Sequence, residues 1–239
     1  MEQALCEVIS EQFWHRTDEN STTHAILIRL RELLHGRSME GLGPTSRIIV
    51  NAFKQRGKDE TNFGDIAIWI RLHTGKRSIP IEGVGYLEAK IIDPTGHSYK
   101  AFKQTQIQLI NTNAPQSYVL CYDNVAQRLP LSKADGVRFS KPSGYNSSST
   151  QAIVIPTGSL LARKTLSRRD YTVSCPFSVQ LCQRYLFGLD LEHPIAPTRN
   201  TAELFDIKHI PFVLVLDVLQ GNATEPRPVT INREVYAAL

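Results

Sequence analysis

The sequence predicts an α/β fold, on three observations. Residues 64–72 (GDIAIWIRL) alternate strictly, with Ile66, Ile68, Ile70 and Leu72 on one face and Asp65, Ala67, Trp69 and Arg71 on the other, which is the period of a strand. Ile26, Leu30, Leu33 and Leu34 recur at helical spacing. Two short apolar runs, SYVLCY at 117–122 and FVLVLDVL at 212–219, read as buried strands. Strands and helices interleaved along one chain define the α/β class.

Each element follows from local chemistry. Residues 2–14 form a first helix. The short polar side chains of Asp18 to Thr23 cap a second, and Gly36 stops it. Gly41, Gly43, Pro44 and Gly57 make residues 36–60 a loop, around a short helix expected over 46–55. After the alternating strand and a polar turn, GVGYLEAKII (83–92) forms a second strand. It places Tyr86, Glu88 and Lys90 on one face and Leu87, Ala89 and Ile91 on the other. Asp93-Pro94-Thr95-Gly96 supplies the turn that ends it. A helix is expected from Tyr99 to Asn111, then the strand at 117–122. Residues 124–150 read as a long loop, most flexible over 141–150. A strand over 152–155, a basic stretch over 163–169 and a helix over 176–187 with proline in its first turn precede the strand at 212–219.

The chain has 239 residues, 41% hydrophobic and 21% charged, enough for a packed core and unlike a disordered chain. No apolar run reaches the ~18 residues of a membrane span. The first fourteen residues carry early acids and no basic-then-apolar pattern, so a cytoplasmic protein is expected. Cys6, Cys121, Cys175 and Cys182 form no C-x-x-C pair, which points to reduced thiols and away from a zinc knuckle. The net charge of +4 permits a polyanionic partner without demanding one. No G-x-S-x-G, phosphate-cradling glycine loop or H-E-x-x-H is present, which argues against hydrolases and NTPases of those kinds.

The residues that carry chemistry are Asp65, Glu88 and Lys90. Phosphodiester hydrolysis needs a divalent cation to neutralise phosphate and to acidify the attacking water. Hard cations take oxygen ligands, usually one or two carboxylates together with waters and phosphate oxygens. Asp65 opens one strand and Glu88 lies on the next, with twenty-two residues between them. Lys90, on the same strand face as Glu88, is placed to orient water or stabilise developing negative charge. Glu88 is costly on an otherwise apolar strand unless something uses it; a salt bridge to a basic neighbour is the competing use.

Gly64-Asp65-x(22)-Glu88-Ala89-Lys90 resembles the D-x(n)-(D/E)-x-K signature of the PD-(D/E)XK (restriction-endonuclease-like) nuclease superfamily. Residues 61–70 resemble the T-x-x-G-A-D-W-x-W segment of one bacterial branch often linked to antiviral defence. Tyr99, Gln106 and Leu109, followed by residues 115–122, resemble that branch's helix and next strand. The resemblance covers about residues 18–123, and more faintly 174–186. It departs from the pattern at Phe63-Gly64, where the proline of the superfamily name is missing.

The resemblance implies a central mixed sheet flanked by helices. It implies a nuclease core over 1–125 and a C-terminal α/β extension over 126–239 packed on it. It implies Asp65, Glu88, Lys90 and Gln106 as catalytic residues, with Glu19, Asp65 and Glu88 holding Mg2+ or, in its place, Mn2+. Asp18 competes with Glu19 as the first-helix acid, and Gln104 and Gln108 compete with Gln106. A Glu at a helix start also simply complements the dipole.

The implied partner is nucleic acid, double-stranded DNA first, with a defence-system protein as a second partner and no membrane. Arg163, Lys164, Arg168 and Arg169 are the expected phosphate contacts, with Lys54, Arg56 and Lys58 as the alternative path; a solvated basic face is the competing reading. Two functions follow: a metal-dependent nuclease acting in antiviral defence or restriction, or a nuclease-like fold that binds nucleic acid or assembles without catalysis. Cleavage of plasmid DNA with Mg2+ or Mn2+ separates them.

Overall fold

The computed structural model describes residues 1–38, 46–57, 62–75, 80–96, 98–99, 101–129, 149–193, 209–223, 225–226, 229 and 231–239. In chain order the elements are α1 (Glu2–Trp14), α2 (Glu19–Leu34), β1 (Arg47–Gln55), β2 (Ile66–Thr74), β3 (Ile81–Ile91), α3 (Gln104–Asn113), β4 (Tyr118–Gln127) and β5 (Thr150–Pro156). After 3-10 turns at Thr157–Leu160 and Arg168–Val173 come β6 (Cys175–Pro176) and α4 (Phe177–Val179). The helix α4 runs on through a π turn, Gln180–Arg184, and a 3-10 turn, Tyr185–Phe187, to Gly188 at φ +78°. Then come β7 (Phe212–Gln220) and β8 (Tyr236–Ala238).

The eight strands among the described residues join one mixed sheet in the order β6-β5-β4-β3-β2-β7-β1-β8. The β2–β7 and β3–β4 pairs are parallel and the others antiparallel. Helices α1 and α2 cover one face: Leu5, Ile9, Ile26 and Leu30 pack on Ile66, Ile68, Leu87 and Leu214. On the opposite face Ala67, Trp69, Tyr86 and Val215 form one cluster. Ile107 of α3 packs into another with Ile92, Val119 and Ile153. The expected division of β2 into two faces is what separates these layers. Asp18 caps α2 as its chemistry predicts, its Oδ1 accepting from the Ser21 amide at 2.7 Å.

Four expectations are corrected. Residues 46–55 are a strand, not a helix: Ile48, Val50 and Ala52 alternate into the core, and β1 pairs along its length with β7. The helix expected from Tyr99 begins only at Gln104, because Tyr99 and Phe102 are buried in the segment before it. The strand β4 continues to Gln127, past the expected loop start.

The C-terminal half is also not an extension packed on a finished core. A boundary at 125 falls inside β4, and β7 lies in the interior of the sheet, between β2 and β1. The cause is β7 itself. Its residues Phe212 to Leu219 are all buried, so it needs partners on both edges and cover on both faces.

Residues 130–148, which include most of the expected flexible stretch at 141–150, and Lys58 lie outside the described residues. All four cysteines are free thiols. Among the described residues, no helix is long and apolar enough to cross a membrane.

Candidate functional site

The site is built where the β2–β3 ladder stops. That ladder ends at the Ile66–Leu87 pair. One residue earlier the chain runs through Gly64 at φ +97°, where a Cβ would stand 2.6 Å from the Leu87 carbonyl oxygen. Only glycine fits so close an approach at that φ. The approach lets the Asp65 amide donate to Leu87 O at 2.8 Å.

On its β2 side, β3 has no strand partner among the described residues beyond Leu87, and two carboxylates take its amides there. The Ala89 N–H donates to Asp65 Oδ2 at 2.9 Å, and the Ile91 N–H donates to Glu19 Oε2 at 3.2 Å. The first turn of α2 thereby reaches the end of β3.

Glu88 and Lys90 project from β3 on the face away from α1 and α2, and both are buried, 1% and 4% exposed. Lys90 Nζ donates to Glu88 Oε1 at 2.5 Å and to Ala89 O at 2.7 Å, and it lies 3.6 Å from Glu19 Oε1. The second Glu88 oxygen, Oε2, is buried with no hydrogen-bond donor among the described residues. The Asp65 and Glu88 carboxyl groups come within hydrogen-bonding reach of each other. Two carboxylates that close need a shared proton or a cation.

The electrostatics follow from this crowding. Burial, and then the nearby Asp65 charge, push the Glu88 carboxyl up to about 8 against the opposing pull of Lys90. Burial, opposed by Lys90, raises Glu19 to about 7. Burial also raises Asp65 above the usual carboxylate range. For Lys90, burial acts to lower the ammonium, but Glu88, Glu19 and Asp65 together hold it above its ordinary value. In this arrangement Lys90 serves as the internal counter-ion of three acids.

The expected residues thus separate into those the fold gathers and those it does not. Asp65, Glu88, Lys90 and Glu19 come together, and Asp18 does not, being the cap of α2. Among the described residues, however, no group of three or more His, Cys, Asp or Glu is arranged to hold a metal ion. The three-carboxylate set Glu19, Asp65 and Glu88 is therefore not assembled, because Glu19 is turned to the Ile91 amide and Lys90. The pair Asp65 and Glu88 remains as a smaller donor set, with the unpartnered Glu88 Oε2 as the observation that suits a hard cation. Gln106 is half-buried on α3 and Gln108 is exposed, while Gln104 donates to Leu161 O at 2.7 Å. None of the three side chains bonds Asp65, Glu88 or Lys90 among the described residues.

The basic stretch is half committed elsewhere. Arg168 holds the fully buried Asp123 through Nε at 2.8 Å and Nη2 at 2.6 Å, and also reaches Asn124 Oδ1 at 2.8 Å. Arg163 pairs with Asp170 at 3.2 Å. Lys164 and Arg169 are exposed and have no partner among the described residues. Of the four expected phosphate contacts, Arg168 is already engaged by Asp123 and Asn124. Asp123 stands two residues beyond Cys121, the β4 partner of Lys90, so the stretch lies past the same sheet end as the acids.

Two further buried acids, Asp123 and Asp217, are not among the residues expected from the sequence. Asp123 also accepts from Tyr171 OH at 2.8 Å. Asp217 on β7 accepts from His73 Nε2 at 2.7 Å and pairs with Arg71 Nη1 at 3.3 Å, at the far end of β2 from Asp65. The available signal was an acid inside or directly after an apolar run, as in SYVLCYD and FVLVLDVL.

Compared with protein-family models, curated proteins and solved structures, the chain matches none.

Proposed function

We propose that this chain is a metal-dependent nuclease with a restriction-endonuclease-like core, hydrolysing phosphodiester bonds in DNA. The observation that carries the proposal is the convergence of Asp65 and Glu88, from adjacent strands, on a buried Glu88 oxygen that has no donor, with Lys90 alongside. Asp65 and Glu88 would hold the ion, Mg2+ or Mn2+, which supplies charge neutralisation and acidifies a water. Lys90 orients water and stabilises charge developing on the scissile phosphate. Glu19 keeps the Lys90 ammonium in place and fixes the β3 edge. The family resemblance extends the proposal to an effector of a bacterial antiviral or restriction system, acting with a partner protein.

The experiment is cleavage of plasmid DNA with Mg2+ or Mn2+ by the wild type and by Lys90→Ala, with binding measured beside it. Cleavage by the wild type, lost in the variant with binding largely kept, supports the proposal, because an interaction confined to the transition state affects rate more than affinity. Equal cleavage by both would show that the motif is accidental.

A second reading has its own support. Asp65 and Glu19 already satisfy the Ala89 and Ile91 amides, and Lys90 already neutralises Glu88, so the group also works as a closed structural tie. On that reading the fold binds nucleic acid or assembles without cutting. Wild-type binding with no cleavage under any divalent cation would favour it.

A further inference from the structure

Residue Trp14 ends α1 with 85% of its surface exposed, the most exposed large apolar side chain among the described residues. A single exposed apolar residue needs no explanation by itself. Its mounting and its place give this one a role. The next residues close the helix tightly. Arg16 adopts φ +52°, its amide donates to Phe13 O at 3.1 Å, and the Thr17 amide donates to Gln12 O at 3.1 Å. Thr17 Oγ1 adds a bond to Gln12 Oε1 at 2.9 Å. This is the Schellman closure with a non-glycine residue in the left-handed position, and it fixes the turn. Phe13 is tucked in, packing against clusters on both faces of the sheet. Trp14 is left outside on a rigid base.

The turn also crosses the functional end of the sheet. One helical turn before Trp14, Ser10 Oγ donates to Gln151 Oε1 at 2.9 Å, and Gln151 Nε2 donates to the Asp123 carbonyl at 3.2 Å. Asp123 in turn holds Arg168. Five residues after Trp14, Glu19 reaches Lys90 and Ile91. In the chain, Trp14 therefore lies between Ser10, tied through Gln151 to the anchor of the basic stretch, and Glu19 of the acidic group. His15 and Arg16 beside it are exposed, as are Lys164 and Arg169 beyond Asp123. An exposed indole with Arg16 beside it, and Lys164 and Arg169 past the same sheet end, suits a nucleic-acid strand, whose bases stack on aromatic rings while its phosphates meet the cations.

We infer that Trp14 stacks on a base of the substrate strand at the mouth of the site, so that the chain favours single-stranded or frayed nucleic acid there. This rests on the nuclease reading. Trp69, the second tryptophan, is 5% exposed, so fluorescence changes on binding report Trp14. The probe is a mixed-sequence 12-mer DNA, single-stranded and as a duplex, with Ca2+ present, followed by tryptophan fluorescence and by anisotropy.

Quenching by the single strand is expected, with Trp14→Ala losing the quenching and binding roughly five- to 150-fold more weakly, and Trp14→Phe keeping most of the affinity. Binding without any change in tryptophan fluorescence, or wild-type affinity in Trp14→Ala, overturns the inference. So does a concentration-dependent dimer in sedimentation that Trp14→Ala abolishes, since Trp14 then covers a protein contact. Plasmid cleavage judges the nuclease reading separately. A protein that cuts but fails the stacking test loses only this inference, whereas one that neither binds nor cuts loses both.

Discussion

Asp65 Oδ2 accepts the Ala89 amide at 2.9 Å, across the gap left where β2 has ended and β3 continues. The acid proposed to hold a cation thus also completes the backbone hydrogen bonding of the strand that carries Glu88 and Lys90. Asp65→Asn keeps an acceptor oxygen, whereas Asp65→Ala leaves the amide without one. We expect Asp65→Ala to cost about 1–3 kcal/mol of stability and Asp65→Asn much less, with cleavage lost in both. Denaturant unfolding beside a cleavage assay checks this; equal stability of the two variants would show that the hydrogen bond contributes nothing.

The acidic group sets a pH dependence. The Glu88 and Glu19 carboxyls are raised to about 8 and about 7, above their unfolded values near 4.5. The folded chain therefore binds more protons than the unfolded chain between those limits. Stability must fall as pH rises through that window, by about 1.4 kcal/mol per pH unit for each proton of difference. Lys90, raised in the opposite sense for a cation, contributes stability that is fully present throughout this window. Without metal, thermal unfolding should show a more stable protein at pH 5.5 than at pH 8, and Glu88→Gln should flatten the slope. A slope of opposite sign that Glu88→Gln leaves unchanged would mean that other groups dominate.

Arg168 and Arg169 are neighbours with different jobs. Arg168 is the counter-ion of Asp123, which is fully buried. Removing one partner of such a pair costs about 3–5 kcal/mol, so Arg168→Ala should be severely destabilised, and a double variant would confuse folding with binding. Arg169→Ala should keep its stability within about 0.5 kcal/mol and lower the salt slope of duplex binding by about 0.9. Titrations at several salt concentrations read the slope, and no change would remove Arg169 from the nucleic-acid path.

Gly64→Ala tests the approach of the two strands. Its Cβ would collide with Leu87 O, and its φ of +97° disfavours any side chain. A loss of more than about 1 kcal/mol is expected, with Asp65 displaced and cleavage reduced. An unperturbed, active Gly64→Ala would show that the close approach is dispensable.

The parts of the fold and site legible in the sequence were those with local periods. The alternation of β2 and β3 put Glu88 and Lys90 on one face correctly, and the polar run at Asp18 marked the start of α2. The segment β1, expected as a short helix between breaker-rich loops, is a strand because Ile48, Ile49 and Val50 are β-branched and Ile48 and Val50 alternate into the core. What no local pattern carries is which strand pairs with which, so the interior position of β7 was invisible. The same holds for Glu19 turning to Ile91 N, and for Arg168 finding Asp123, forty-five residues earlier in sequence. Those contacts depend on where distant segments meet.

The place of β7 also dictates an order of events during synthesis. Until residues 212–220 leave the ribosome, β1 and β2 have no strand to join them, and each presents an open edge. The β2–β3 hairpin, with Asp65 at its entry and Glu88 and Lys90 on β3, gains its second neighbour on the β2 side only when residues 212–220 are made. A nascent or truncated chain that stops before Phe212 is thus a hazard for aggregation, and the most distant contacts in the sequence set the pace of folding. If the proposed nuclease reading holds, a fragment that stops before Phe212 should not cut nucleic acid.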